Sequence, residues 1–159
     1  MLNHCSRLSR TLLCIFLLGW QVCSHADDAK GPSLRPEVGK PIQAAIEALK
    51  SRKGKEALVK AREADAIPGK TAYENYVVDR IKGQAAALAG EPATAIESLE
   101  AALTSSALPP ADRIPLLATV AGQYYTARNY SKAAEACGRY FKEGGNDPAL
   151  RTLQIQSLY

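Results

Sequence analysis

Apolar residues recur along this chain at helical intervals. In EPATAIESLEAAL, residues 91–103, Ile96, Leu99, Ala102 and Leu103 stand at i, i+3, i+6 and i+7, with Glu97 and Glu100 among them. That spacing lines one face of a helix. Similar runs are separated by short breaks: SRKGK (51–55), IPGK (67–70), AGEP (89–92), SSALPPAD (105–112), ARN (127–129) and EGGNDP (143–148). Gly, Pro, Asn and Asp gather in these breaks, as turns require. The pattern predicts seven helices at about 39–51, 54–66, 71–89, 92–105, 111–127, 130–143 and 148–159. No stretch alternates β-branched residues with period two, so no strand is expected. Pro41 and Pro92 fall near first turns, Asp112 and Asp147 are expected as helix caps, and Gly144 and Gly145 should stop the sixth helix. Residues 27–38, DDAKGPSLRPEV, read as a flexible leader.

The helices that follow tight turns align with one another. KGKEALVKAREAD (53–65), GEPATAIESLEAAL (90–103) and RNYSKAAEACGRYF (128–141) superpose on Ala57, Ala95 and Ala133, at a constant interval of 38. A small residue returning at one interval in a helix–turn–helix pattern is the mark of a repeat. Ala at a crossing lets helices approach to roughly 8–10 Å. An antiparallel bundle with Ala-rich seams is the competing reading, but it has no reason to space its small residues evenly.

On these residues the chain resembles the tetratricopeptide repeat (TPR) family, helix pairs of 34 residues. If the aligned Ala is repeat position 20, position 8 is Ala45, Gly83 and Ala121, all small as the family requires. Position 24 is Ala61, Leu99 and Cys137, and position 27 is Ala64, Ala102 and Tyr140. Position 17, usually aromatic, is so only at Tyr130, with Gly54 and Pro92 in the other units. Position 4, often Trp, is Pro41, Asp79 and Leu117. The interval exceeds 34, so each unit would carry about four extra residues. The resemblance implies an all-α fold: an α-solenoid of antiparallel helix pairs, about three TPR-like units plus one extra helix, over residues 39–159. The stretch from RPEVGKP through READAIPGKTAYENYVVDR also resembles exported, mostly uncharacterised TPR proteins of Gram-negative bacteria.

Composition agrees with close-packed helices. Apolar residues make up 47 % of the 159 residues but aromatics only 6 %, and Ala favours helix over strand. The first 26 residues differ from the rest. Arg7 and Arg10 precede the apolar run TLLCIFLLGW, and Ser24 and Ala26 stand at −3 and −1 of a cleavage point before Asp27. This is the layout of a secretory signal peptide, residues 1–26, cleaved after Ala26. An uncleaved anchor is the alternative, although a ten-residue run is short of the about 20 needed to span a bilayer. Cleavage would remove Cys5, Cys14, Cys23, both His residues and the one Trp, leaving Cys137 alone. The 20 basic residues fall by Arg7 and Arg10 to 18 against 16 acids, so net charge falls from +4 to +2. So small a net charge gives no ground for a nucleic-acid partner. With no His, neither a Ser–His–Asp or Cys–His catalytic group nor a His/Cys zinc site can be built. No cofactor and no enzymatic activity are expected. A periplasmic location is, with no integral span in the mature chain.

In the TPR family, partner segments lie on the concave face lined by first helices. Carried over, the second unit offers Val77, Arg80, Gln84, Ala87 and Leu88, the third Pro115, Ala118, Gly122, Tyr125 and Thr126, and the first Gly39, Ile42, Ile46, Leu49 and Lys50. Tyr73, Tyr76, Arg80 and Gln84 step by 3, 4 and 4 along one helix stripe. With Tyr125 they are the candidate partner-binding residues, since Tyr and Arg dominate interface hot spots. The competing reading places Tyr73 and Tyr76 in the inter-repeat core with their hydroxyls at its rim. Tyr124 and Cys137 are assigned to packing. The carboxylate clamp of chaperone-binding members is missing, with Ile42 and Ile46 at its positions. The expected function is an exported, non-catalytic scaffold that binds a protein or peptide segment. The alternative is the truncated N-terminal part of a longer envelope protein or enzyme accessory, with activity beyond residue 159.

Overall fold

The computed structural model describes residues 32–159. The expected signal peptide and residues 27–31 of the leader lie outside the described residues. Seven α-helices and no strand occur among the described residues: α1 (Pro36–Lys50), α2 (Gly54–Asp65), α3 (Ala72–Ala89), α4 (Pro92–Thr104), α5 (Pro110–Thr126), α6 (Tyr130–Lys142) and α7 (Pro148–Leu158). No helix among them is long and apolar enough to cross a membrane.

Helix ends follow local chemistry. Pro occupies the first position of α1, α4, α5 and α7, where its missing N–H costs no bond. Thr71 and Glu74 close a capping box at α3. The Asn129 side chain accepts from Lys132 N–H at α6, and Asp147 Oδ1 accepts from Ala149 N–H at α7. Helix α1 starts at Pro36, three residues before the expected boundary. Val38 is fully buried there, and its apolar contacts hold the first turn in place. Pro41 therefore lies inside the helix. Asp112 does not cap α5 as expected: the helix begins at Pro110 without a side-chain cap, because α3 takes the Asp112 carboxylate.

The turn inside each pair repeats in conformation as well as in position. Arg52, Gly90 and Arg128 have φ of 56°, 80° and 59°. The next residue donates its N–H five residues back each time: Lys53 to Ala48, Glu91 to Ala86 and Asn129 to Tyr124, all at 2.9 Å. These are left-handed C-terminal turns at an interval of 38. Two of the three lack Gly, so the turn is held by the packing of the helices it joins.

Each helix packs on the next in sequence, and α1 also meets α3, as α5 meets α7. The aligned small residues all face inward. Ala57, Ala95 and Ala133, together with Ala45, Ala121, Ala61, Ala64 and Ala102, are completely buried. A Cβ on Gly83 would stand 2.6 Å from Leu99 Cγ and 3.2 Å from the Ala95 carbonyl oxygen, so α3 and α4 touch through the absence of a side chain. Apolar burial runs from Val38 and Ile42 through Tyr76 and Leu99 to Leu117, Tyr140 and Leu150.

Candidate functional site

Helices α3 and α5 flank an open cavity of about 210 Å³, lined by Arg80, Gln84, Asp112, Pro115, Leu116 and Thr119. Two sequence-predicted residues, Arg80 and Gln84, meet here. Arg80 Nη1 lies 2.7 Å from Asp112 Oδ2 and donates to the Tyr76 hydroxyl at 3.2 Å, while that hydroxyl donates to Asp112 Oδ2 at 2.5 Å. The triad bridges the first helices of neighbouring pairs. Burial, reinforced by the Asp112 carboxylate, pushes the Tyr76 phenol up, so it remains a donor. Burial works against the Arg80 charge, but the Tyr76 and Asp112 bonds outweigh it and raise its pKa further.

The triad leaves hydrogen-bonding capacity unused. Arg80 Nε is buried without an acceptor, and an unmade bond of this kind is costly unless something supplies the partner. The Thr119 hydroxyl donates to the Pro115 carbonyl at 3.0 Å, leaving its lone pairs free to accept. Gln84 adds an amide with a donor and an acceptor. The lining thus offers donors and acceptors together, with the Arg80 charge balanced by Asp112.

The other predicted residues are placed differently. Tyr76 is only 2 % exposed, so it belongs to the core and contributes its hydroxyl to the triad. Tyr73 is half-buried with its ring 6.3 Å from that of Tyr76. Tyr125 stands apart from the cavity, edge-on to Tyr130 at 5.4 Å, and its hydroxyl donates to Gln156 on α7 at 3.3 Å. Ile42, a groove position by family analogy, is buried.

Asp112 is the residue sequence reasoning assigned elsewhere. Its counterpart 38 residues earlier is Glu74, and both stand third in their helices. Glu74 acts as a clasp in the preceding unit. Its buried carboxylate accepts from Arg35 Nε and the Arg35 backbone N–H, each at 2.9 Å, and from Thr71 N–H at 2.8 Å. The Arg35 bond above all, with the two backbone N–H groups, holds Glu74 down at about 2. The repeat interval was the signal that could have identified Asp112 as an inter-unit clasp. Among the described residues no cluster of metal-ligating side chains occurs. No family model, no curated protein and no solved structure matches this chain.

Proposed function

We propose that this chain is an exported, non-catalytic scaffold of the TPR type, an α-solenoid whose α3–α5 cavity holds a segment of a partner protein. The repeated left-handed turns and the buried small residues at the interval of 38 support the solenoid reading. The layout of residues 1–26 supports export to the periplasm. The observation that carries the binding reading is the cavity lining itself: Arg80, Gln84 and Thr119 set donors and acceptors side by side around one open cavity. A peptide main chain presents alternating N–H and C=O groups, which match this mixture of donors and acceptors. With Arg80 already neutralised by Asp112, an extended segment suits the site better than an acidic chain end.

The test is site-specific photocrosslinking in intact cells, with the crosslinker at Gln84 or, for comparison, at exposed Val59. Adducts to a discrete protein are expected from Gln84, absent from Val59, and lost on Arg80→Ala. That variant should stay folded, because its ion pair is half-exposed, 36 % and 37 %, and such pairs contribute about 0–1 kcal/mol. Identical adducts at both positions, or adducts indifferent to Arg80→Ala, would remove the cavity as the binding site.

A further inference from the structure

The junction between the second and third helix pairs lies inside the stack, with α2 before it and α7 after it. Between α4 and α6, over α5, is a cavity of about 150 Å³, lined by Glu100 of α4, Tyr124 of α5, and Lys132, Glu135, Ala136 and Arg139 of α6. The four α6 residues stand at i, i+3, i+4 and i+7, so they share one helix face. Tyr124 and Ala136 are buried and form the floor. The interval of 38 preserves the small residues at the crossings, but it does not preserve this lining. Tyr124 stands where the earlier pairs have Ala48 and Ala86, Arg139 where the second pair has Ala101, and Glu100 where the first has Arg62. At the preceding junction Arg62 closes on Glu91 at 2.7 Å, and Glu91 also accepts from the Thr94 hydroxyl at 3.2 Å. Asn129 takes the place of Glu91 in the third pair, so that ion pair has no counterpart here.

The charged groups of the lining are loosely held. Glu100 Oε1 accepts from the Tyr124 hydroxyl at 3.3 Å and from Arg139 Nη1 at 3.4 Å, both longer than the roughly 2.5–2.9 Å of charge-assisted bonds. Burial, reinforced by Glu100, pushes the Tyr124 phenol up, so it stays a donor. Lys132 Nζ lies over the Tyr124 ring, 5.6 Å from its centroid, and neither Lys132 nor Glu135 forms an ion pair among the described residues. Two cations and two carboxylates thus border one small space with hydrogen-bonding capacity to spare. A simple anion would meet Glu100 and Glu135 there, and a simple cation would meet Lys132 and Arg139. A molecule carrying both charges avoids either repulsion. Its carboxylate can accept from Lys132 and Arg139 while its ammonium donates to Glu100 and Glu135. The volume sets the size: with about 30 Å³ per water molecule in the liquid, the space equals about five waters. That suits an amino acid with a short side chain and is too small for a peptide.

We propose that this cavity binds a free α-amino acid with a short side chain, held by Lys132 and Arg139 at its carboxylate and by Glu100 and Glu135 at its ammonium. The site shares no lining residue with the cavity between α3 and α5 and does not depend on what that cavity binds. The test is isothermal titration calorimetry of the full chain with glycine, alanine and serine, beside acetate, methylamine and inorganic phosphate at the same ionic strength. Saturable binding of at least one of the amino acids is expected, stronger than that of any single-charge probe. Lys132→Gln and Glu135→Gln, both at exposed positions, should each weaken it by about tenfold or more in Kd, with circular dichroism matching the parent, whereas the remote Lys40→Gln should bind as the parent does. No saturable binding of any of the three amino acids, equal binding of acetate, methylamine or phosphate, a Kd that Lys132→Gln or Glu135→Gln leaves unchanged, or an equal loss in Lys40→Gln would each overturn the proposal.

Discussion

Three of the helical glycines, Gly54, Gly83 and Gly122, face different surroundings, and replacing each with Ala separates the crossings from intrinsic helix preference. A Cβ on Gly122, in the interior of α5, would meet nothing within 4 Å. There Ala should stabilise by about 0.5–1 kcal/mol, the difference in helix propensity. At Gly83 the same methyl lands 2.6 Å from Leu99 Cγ and 2.8 Å from Cδ2. Leu99 is completely buried, so a shift of its side chain must displace neighbouring core atoms. Overpacking costs about 1–3 kcal/mol, so the propensity gain is cancelled or exceeded and Gly83→Ala destabilises by up to about 2 kcal/mol. Gly54 is the hardest case. Its Cβ would stand 2.5 Å from the Leu88 carbonyl carbon and 2.6 Å from Ala89 N. Both are backbone atoms, so no rotamer change relieves the clash and α2 must move off α3. Gly54→Ala should therefore reach or exceed the upper end of the overpacking range, about 3 kcal/mol. Urea titration gives the midpoints directly. In thermal melts each kcal/mol corresponds to roughly 3–5 °C for a domain of this size. The expected order of stability is Gly122→Ala, parent, Gly83→Ala, Gly54→Ala. If Gly54→Ala or Gly83→Ala proved as stabilising as Gly122→Ala, the close approach of α3 to its neighbours would be refuted.

Two further outcomes are expected. Glu74 is depressed to about 2 in the folded chain against about 4.3 when unfolded, so its contribution is full above the unfolded value and is lost as pH falls through that window. The thermal midpoint of the parent should thus exceed that of Glu74→Gln at neutral pH and converge toward it between about pH 4 and 2; a gap unchanged over that range would mean the carboxylate is not its source. Ser98 Oγ is buried without a partner, and the third pair carries Ala136 at that position, so Ser98→Ala should raise stability by about 0.5–1 kcal/mol; a lower urea midpoint would show that the hydroxyl has a partner.

The helices were legible in the sequence because each depends on neighbours within a few residues. Ile96, Leu99 and Leu103 mark a buried face by spacing alone, and Pro92, Pro148 and the Gly144–Gly145 pair mark ends by backbone chemistry. The interval of 38 was legible as well, since Ala57, Ala95 and Ala133 must be small wherever helices cross closely, and all three are completely buried. Polar side chains were harder to place, because a carboxylate near a helix start can serve its own backbone or another element. Asp112 has a cap's sequence position, yet it turns to Arg80 and Tyr76 on α3. Tyr73, Tyr76, Arg80 and Gln84 share one stripe, but α5 buries the second and leaves the last two beside the cavity. Local spacing determined where this chain is helical and which residues are small at its crossings. Tertiary packing decided which polar groups meet, since those distances depend on how neighbouring helix pairs are set against each other rather than on separation along the chain.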